Sequence, residues 1–191
     1  MAETGAAGHR ELRSDAHRNR ERVVEAAVAA LHREGLAVPM ATIAAEAGVG
    51  VGTLYRHFPT RDDLLEELTL RSFRLMVDRL AHAREAGGTA TEVLRVFLRA
   101  VIADRDDMVL PSTGGPAVPG KAARAVQAEL HRAIRDVLDR GAADGTVVRD
   151  VAVSDIAWLG ATLAQPGRPG AAWERICFRL LDTYLAGLGT P

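Results

Sequence analysis

Apolar positions along this chain recur at the spacing of helix faces, and no segment alternates as a half-buried strand would. Between Asp15 and Glu34, Val23, Val24, Ala27 and Leu31 fall on one face, and Gly35 stops the run. Pro39 opens a short helix, Ala41 to Ala47, which turns Ile43, Ala44 and Ala47 inward and ends at Gly48. A second short helix runs from Val51 to Phe58, with Leu54 and Phe58 one turn apart on its inner face, before Pro59 breaks it. Thr60 and Asp63 have the spacing of an N-cap and its acidic partner. Asp62, Asp63, Glu66 and Glu67 then complement the positive end of a long helix reaching about Glu85.

Beyond Gly87 and Gly88, Thr91 to Asp104 carries Val93, Leu94, Phe97, Leu98, Val101 and Ile102, a stripe broad enough for a largely buried helix. The Pro- and Gly-rich segment Leu110 to Gly120 reads as a loop, and Lys121 to about Ala143 as a further helix with Ala125, Leu130, Ile134, Val137 and Leu138 at helical spacing. Asp155 to Leu163 and Trp173 to Leu188 form the last two helices, parted by QPGRPG. The expectation is an all-α fold of about nine helices. A flexible N-terminal arm, 1–14, precedes a three-helix head, 15–60, and a larger helical bundle fills 61–191.

Composition narrows the function classes. The 191 residues carry a formal net charge of -1, so no global field selects nucleic acid, a membrane or an acidic substrate, and any charge-based function is local. Cys177 is the only cysteine, which excludes an intrachain disulfide or a zinc site and suits a reducing cytoplasm. No apolar run reaches the roughly 18 residues of a membrane span, and the polar start lacks a signal-peptide core; the expected location is cytoplasmic. The histidines, His9, His17, His32, His57, His82 and His131, form no i, i+4 metal pair. With no phosphate loop, nucleophile elbow or Cys-His set either, no catalytic residue, metal or cofactor is expected.

The local charge pattern points elsewhere. From Ala47 to Arg61 there is no Asp or Glu, so two short helices joined by a glycine turn present a face free of repulsion toward a polyanion. A longer helix braces them, the arrangement in which the second short helix enters a DNA major groove. Thr53, Tyr55, His57, Thr60 and Arg61 supply donors for phosphate, while Leu54 and Phe58 fill the small core. The arginines of HRELRSDAHRNRER make a mildly basic N-terminal segment, either a minor-groove arm or a solvated helix face.

MATIAAEAGVGVGTLYRHFPTRDDLL, Met40 to Leu65, closely resembles the DNA-binding signature of the TetR/AcrR family of bacterial transcriptional regulators, and the resemblance covers about 15–65. It implies a homodimer, each subunit placing one head on a pseudo-palindromic double-stranded DNA operator, and a C-terminal domain that binds a small effector. Carried onto this chain, the family's DNA contacts fall on Val51, Gly52 and Thr53, on Tyr55, Arg56 and His57, and on Arg61. Pro39 and Met40 stand where the family often has a hydroxyl that caps the second helix and contacts phosphate; Thr42 is the nearest hydroxyl here. Without Gln, Asn or Lys at the start of the recognition helix, base reading falls to Val51 against a thymine methyl, to Thr53 and to Arg56.

In the C-terminal half, Phe73, Met76, Phe97, Met108 and Trp158 are the large adaptable side chains available to line an effector pocket, and each also suits ordinary core. Arg99 and Arg105 are possible partners of an anionic ligand or plain exposed arginines. The small face Ala157, Gly160, Ala161 and Ala164 and the stripe Ile176, Leu180, Tyr184 and Leu188 suit either intrachain core or, as the family resemblance implies, a four-helix dimer interface. An effector would then lower operator affinity by favouring a dimer whose heads do not match successive major grooves about 34–36 Å apart. The alternatives are an activator, or a DNA-binding regulator whose bundle answers to a protein partner.

Overall fold

The computed structural model describes residues 3–110, 115, 119–148, 150–165 and 171–188. Among them are eight α-helices, one 3-10 turn and no strand. The chain forms two compact units, Met1–Leu65 and Glu66–Pro191.

The first unit is built from α1 (Glu3–Glu34), α2 (Met40–Glu46), α3 (Val51–His57) and the start of α4 (Arg61–Glu85). Helix α1 begins at Glu3, well ahead of the Asp15 start expected from the apolar pattern. Periodicity marks only the part of a helix that meets a core, whereas Ala, Glu and Arg sustain helix by propensity alone. Residues 1 and 2 of the expected flexible arm lie outside the described residues. Val23, Ala27, Ile43, Ala44 and Leu54 are essentially inaccessible and form the centre of this small core, closed by Val38, Phe58 and Leu64. Leu64 and Leu65 are both buried and belong to the first unit, so the division falls one turn into α4 and not ahead of it at 60.

The second unit contains the rest of α4 with α5 (Ala90–Ala103), the 3-10 turn Arg105–Asp107, α6 (Lys121–Asp144), α7 (Val153–Leu163) and α8 (Ala171–Gly187). Helix α5 is its central element, packed by α6, α7 and α8, and its stripe of Val93, Leu94, Phe97, Leu98, Val101 and Ile102 is wholly buried. Its start is a full capping box. The Thr89 hydroxyl accepts the Glu92 N–H at 3.3 Å, and the Glu92 carboxylate accepts the Thr89 N–H at 2.7 Å. The start of α6 borrows its cap from another helix, since Glu66 on α4 accepts the Gly120 N–H at 2.6 Å. The hydroxyl of buried Ser72 donates to Leu68 O and accepts the Val109 N–H, each at 2.8 Å, so this polar group is satisfied inside the core.

Gly141 marks a close approach of α6 to the start of α5. A Cβ there would lie 2.6 Å from the Ala90 Cβ and 2.7 Å from a Val147 methyl. Gly141→Ala is therefore expected to lower the thermal midpoint. Overpacking of this kind costs about 1–3 kcal/mol, more than the roughly 1 kcal/mol that alanine gains over glycine in a helix. Thermal unfolding followed by circular dichroism checks it; a raised midpoint would show that α5 and α6 separate without penalty.

Of the expected loop Leu110 to Gly120, residues 111–114 and 116–118 lie outside the described residues, as do 166–170 of the QPGRPG break. Among the described residues no helix is long and apolar enough to cross a membrane, and no cluster of His, Cys, Asp or Glu is placed to hold a metal ion.

Candidate nucleic-acid interface

The turn between α2 and α3 is closed by two nested backbone bonds. Gly48 N–H donates to Ala45 O and Val49 N–H to Ala44 O, each at 3.0 Å, with Gly48 in the left-handed region at φ +62°. Arg22 of α1 donates to Gly48 O at 3.1 Å, so the first helix holds the turn by its carbonyl. Helix α3 then starts from an extended Gly50, whose carbonyl accepts from Thr53 at 2.8 Å and Leu54 at 3.1 Å.

Burial sorts the residues of α3. Leu54 and Phe58 point into the core, and the Arg20 guanidinium lies 5.1 Å over the Phe58 ring. Val51 and Tyr55, one turn apart, stay 42% and 46% exposed, and Gly52 and Arg56 are exposed beside them. Large apolar groups left in water on so small a helix form a ready contact surface. Thr53 and His57 are half-buried at its margin. Arg56 lies along the helix, its Nε 3.2 Å from Gly52 O and a terminal nitrogen 3.3 Å from the Thr53 hydroxyl. Both bonds are long and exposed, so a phosphate or a base edge can replace them at little cost.

Thr60 and Arg61 are already engaged within the protein. The Thr60 hydroxyl donates to Asp63 at 2.7 Å and accepts the Asp63 N–H at 3.1 Å, while Arg61 donates to the carbonyls of Leu36 and Val38 in the α1–α2 connection. Thr42 is half-buried in the first turn of α2, whose cap residue Pro39 supplies no side-chain bond. The exposed face thus centres on Val51, Gly52, Tyr55 and Arg56. Sequence reasoning missed Arg22 as the brace of the turn and Arg33 as the partner of Glu46 across α1 and α2. Neither could be found from spacing, because each partner lies on a different element.

The second unit holds a cavity of about 730 Å³ between α4, α5, α6 and α7. Phe73, Met76, Phe97 and Trp158 line it, whereas Met108 is buried in the core and is not part of its wall. Ala157, Gly160, Ala161 and Ala164, expected in core or at a dimer interface, also lie on the cavity wall, where a Cβ at Gly160 would come 3.2 Å from Leu98 of α5. Three hydrogen-bonding side chains join them, Gln127, His131 and Gln165. Burial, and after it the charge of Arg135, lower the His131 pKa, so its imidazole is neutral at pH 7. Arg99 pairs with Asp182 at 2.7 Å and stacks over Phe178, and buried Arg105 donates to Ile102 O, so neither lines the cavity.

The outward surface of the last two helices is apolar in places. Trp158 is 70% exposed, Leu180 50% and Ile176 39%, while Tyr184 is half-buried and Leu188 buried.

A helix-turn-helix head with no acidic residue from Ala47 to Arg61, joined to an all-helical bundle with a cavity, defines a class of DNA-binding regulatory proteins. Residues 23–68 match the family model described as bacterial regulatory proteins, tetR family. The TetR transcriptional regulator SCO0520 of Streptomyces coelicolor is 30% identical with a TM-score of 0.59, over 89% of this chain and 98% of that one. A TetR regulatory protein of Mycobacterium vanbaalenii is 29% identical with a TM-score of 0.60, over 94% and 99%. The structure of the ketosteroid transcriptional regulator KstR2 of Mycobacterium tuberculosis has the same fold, with a TM-score of 0.70 at 20% identity over 90% and 95%. An HTH-type transcriptional regulator of Staphylococcus aureus strain USA300 is 34% identical over 88 residues, 46% of this chain; the chain spans about half the length, 48%, of such curated relatives. The chain belongs to the TetR family, whose members are regulators and not enzymes.

Proposed function

We propose that this protein is a sequence-specific transcriptional repressor, which binds a pseudo-palindromic operator as a homodimer and leaves it when a small effector enters the bundle. It acts where the chromosome is, in the cytoplasm. The observation that carries the DNA-binding half is the exposed Val51, Gly52, Tyr55 and Arg56 face, on a helix with no acidic residue from Ala47 to Arg61. In this reading Val51 packs on a thymine methyl, Arg56 reads a base edge, and Tyr55, Thr53 and His57 position the helix on phosphates. Thr42 approaches the backbone from α2. Thr60 and Arg61 contribute chiefly by holding the head in shape, since their polar groups are bound within it.

The cavity carries the effector half. A bundle answering only to a protein partner, or an activator without a ligand, has no use for a cavity of about 730 Å³ that opens beside Trp158 and carries three polar side chains along its wall.

The test is selection of sheared genomic DNA by the purified protein at physiological salt. A recurring palindrome supports the reading, whereas recovery of only salt-sensitive, sequence-independent fragments overturns it. Arg56→Ala, carried through a randomised-operator selection, should relax preference at one position per half-site, a loss of about 1–3 kcal/mol of discrimination. Unchanged preference would remove Arg56 from base reading and leave it as a phosphate contact.

A further inference from the structure

We infer that the cavity of the C-terminal bundle takes an uncharged, predominantly apolar molecule with one hydrogen-bonding end, and that Gln127 and His131 of α6 hold that end. This rests on the reading of the cavity as the effector site and names what the site selects.

Charge excludes the alternatives. Among the described residues, no Asp, Glu, Lys or Arg lines the cavity. The nearby arginines are committed elsewhere, Arg99 to Asp182 and the Phe178 ring, Arg105 to Ile102 O, and Arg124 to Pro119 O. An ion drawn into such a wall loses its hydration and gains no opposite charge, a penalty that amounts to several kcal/mol. Arg135, whose charge is felt at His131, is exposed on α6 and outside the lining. Carboxylates, phosphorylated compounds and ammonium ions are therefore poor occupants.

Two of the polar groups share one helix face. Gln127 and His131 are four residues apart on α6 and so share a face one turn apart, while Phe73, Met76, Phe97, Val101 and Ile156 supply apolar wall from other elements. Among the described residues neither Gln127 nor His131 has a hydrogen-bond partner, whereas Gln165 already donates to Ala161 O at 2.7 Å. A carboxamide and a neutral imidazole each both donate and accept, which suits a hydroxyl or a carbonyl and offers nothing special to an ion. Matching such a group is how a mostly apolar site fixes the orientation of its ligand.

The experiment compares three molecules with one ten-carbon tail: 1-decanol, decanoate and decylammonium. Each is titrated into the full chain at pH 7 by calorimetry, below the concentration at which it self-associates. The alcohol should bind at least tenfold more tightly than either ion. Gln127→Leu and His131→Leu should each weaken the alcohol several-fold with the thermal midpoint retained, and His131→Gln should restore most of the loss. Equal or tighter binding of either ion overturns the uncharged class while leaving the cavity as an effector site. Alcohol affinity unmoved in both leucine variants overturns the assignment of the polar end. No heat from any of the three, with the chain folded, overturns the ligand-site reading itself. The comparison of the three molecules depends on no variant, so it stands even if a substitution impairs folding.

Discussion

Gly48→Ala is expected to weaken operator binding by about tenfold or more and to destabilise the head by roughly 1–2 kcal/mol, the cost of holding an L-residue in the left-handed region. Gly48 has φ +62° and its carbonyl is held by Arg22, so an added Cβ both strains the backbone and meets the Arg22 guanidinium. The side chain can swing aside at small cost. The backbone cannot, because leaving the left-handed region breaks the nested bonds from Gly48 and Val49 that set where α3 begins. A unit ending at Leu65 holds only a few kcal/mol in total, so this loss is a large part of its stability. Asparagine tolerates the left-handed region better than alanine, and valine worse. Affinity should therefore fall in the order Gly, Asn, Ala, Val, measured by fluorescence anisotropy on the selected operator beside thermal melts. Equal affinity for glycine and valine would show that the turn does not set the pose of α3.

Leu180→Arg is expected to convert a dimer to monomers and to lower affinity for the full palindrome by roughly a hundredfold or more, since each lost 1.4 kcal/mol of coupling is a factor of ten. Leu180, Ile176 and Trp158 are the most exposed large apolar side chains of α7 and α8. In an isologous interface each residue meets its own symmetry mate or a close neighbour, so one substitution introduces two charges and buries both without partners. Sedimentation equilibrium reads the assembly, and circular dichroism shows whether the bundle stays helical. A wild-type chain that sediments as a monomer while binding the palindrome, or a variant that stays dimeric, would move the interface away from this surface.

The helices themselves were legible from the chain. Leu54 and Phe58, one turn apart between Gly50 and Pro59, specify a short helix and its inner face, and the structure places α3 at Val51–His57 with both side chains buried. Thr60 with Asp63 is a cap that forms from neighbours in sequence, and it is made. The start of α1 was not legible, because the residues ahead of Asp15 carry no apolar periodicity to read. The outer face of α3 was partly so. Absence of acid can be counted, but that Arg61 is spent on the carbonyls of Leu36 and Val38 cannot, since it depends on where a distant connection passes.

What the sequence determined by itself is local: helix spans, caps, breaks, and the acid-free run that belongs against a polyanion. Those follow from propensity, 3.6-residue periodicity and charge among near neighbours. Only the tertiary structure decided partners. The small face of α7 is as fit for a second chain as for its own; it lies on a cavity wall beside Leu98, and Trp158 on that wall, with Ile176 and Leu180 of α8, stays exposed. Likewise the sequence places Gln127 and His131 on one helix face, and only the fold sets them against an apolar hollow. Periodicity fixes which residues share a face, whereas the identity of what covers that face is set by contacts between elements far apart in the chain.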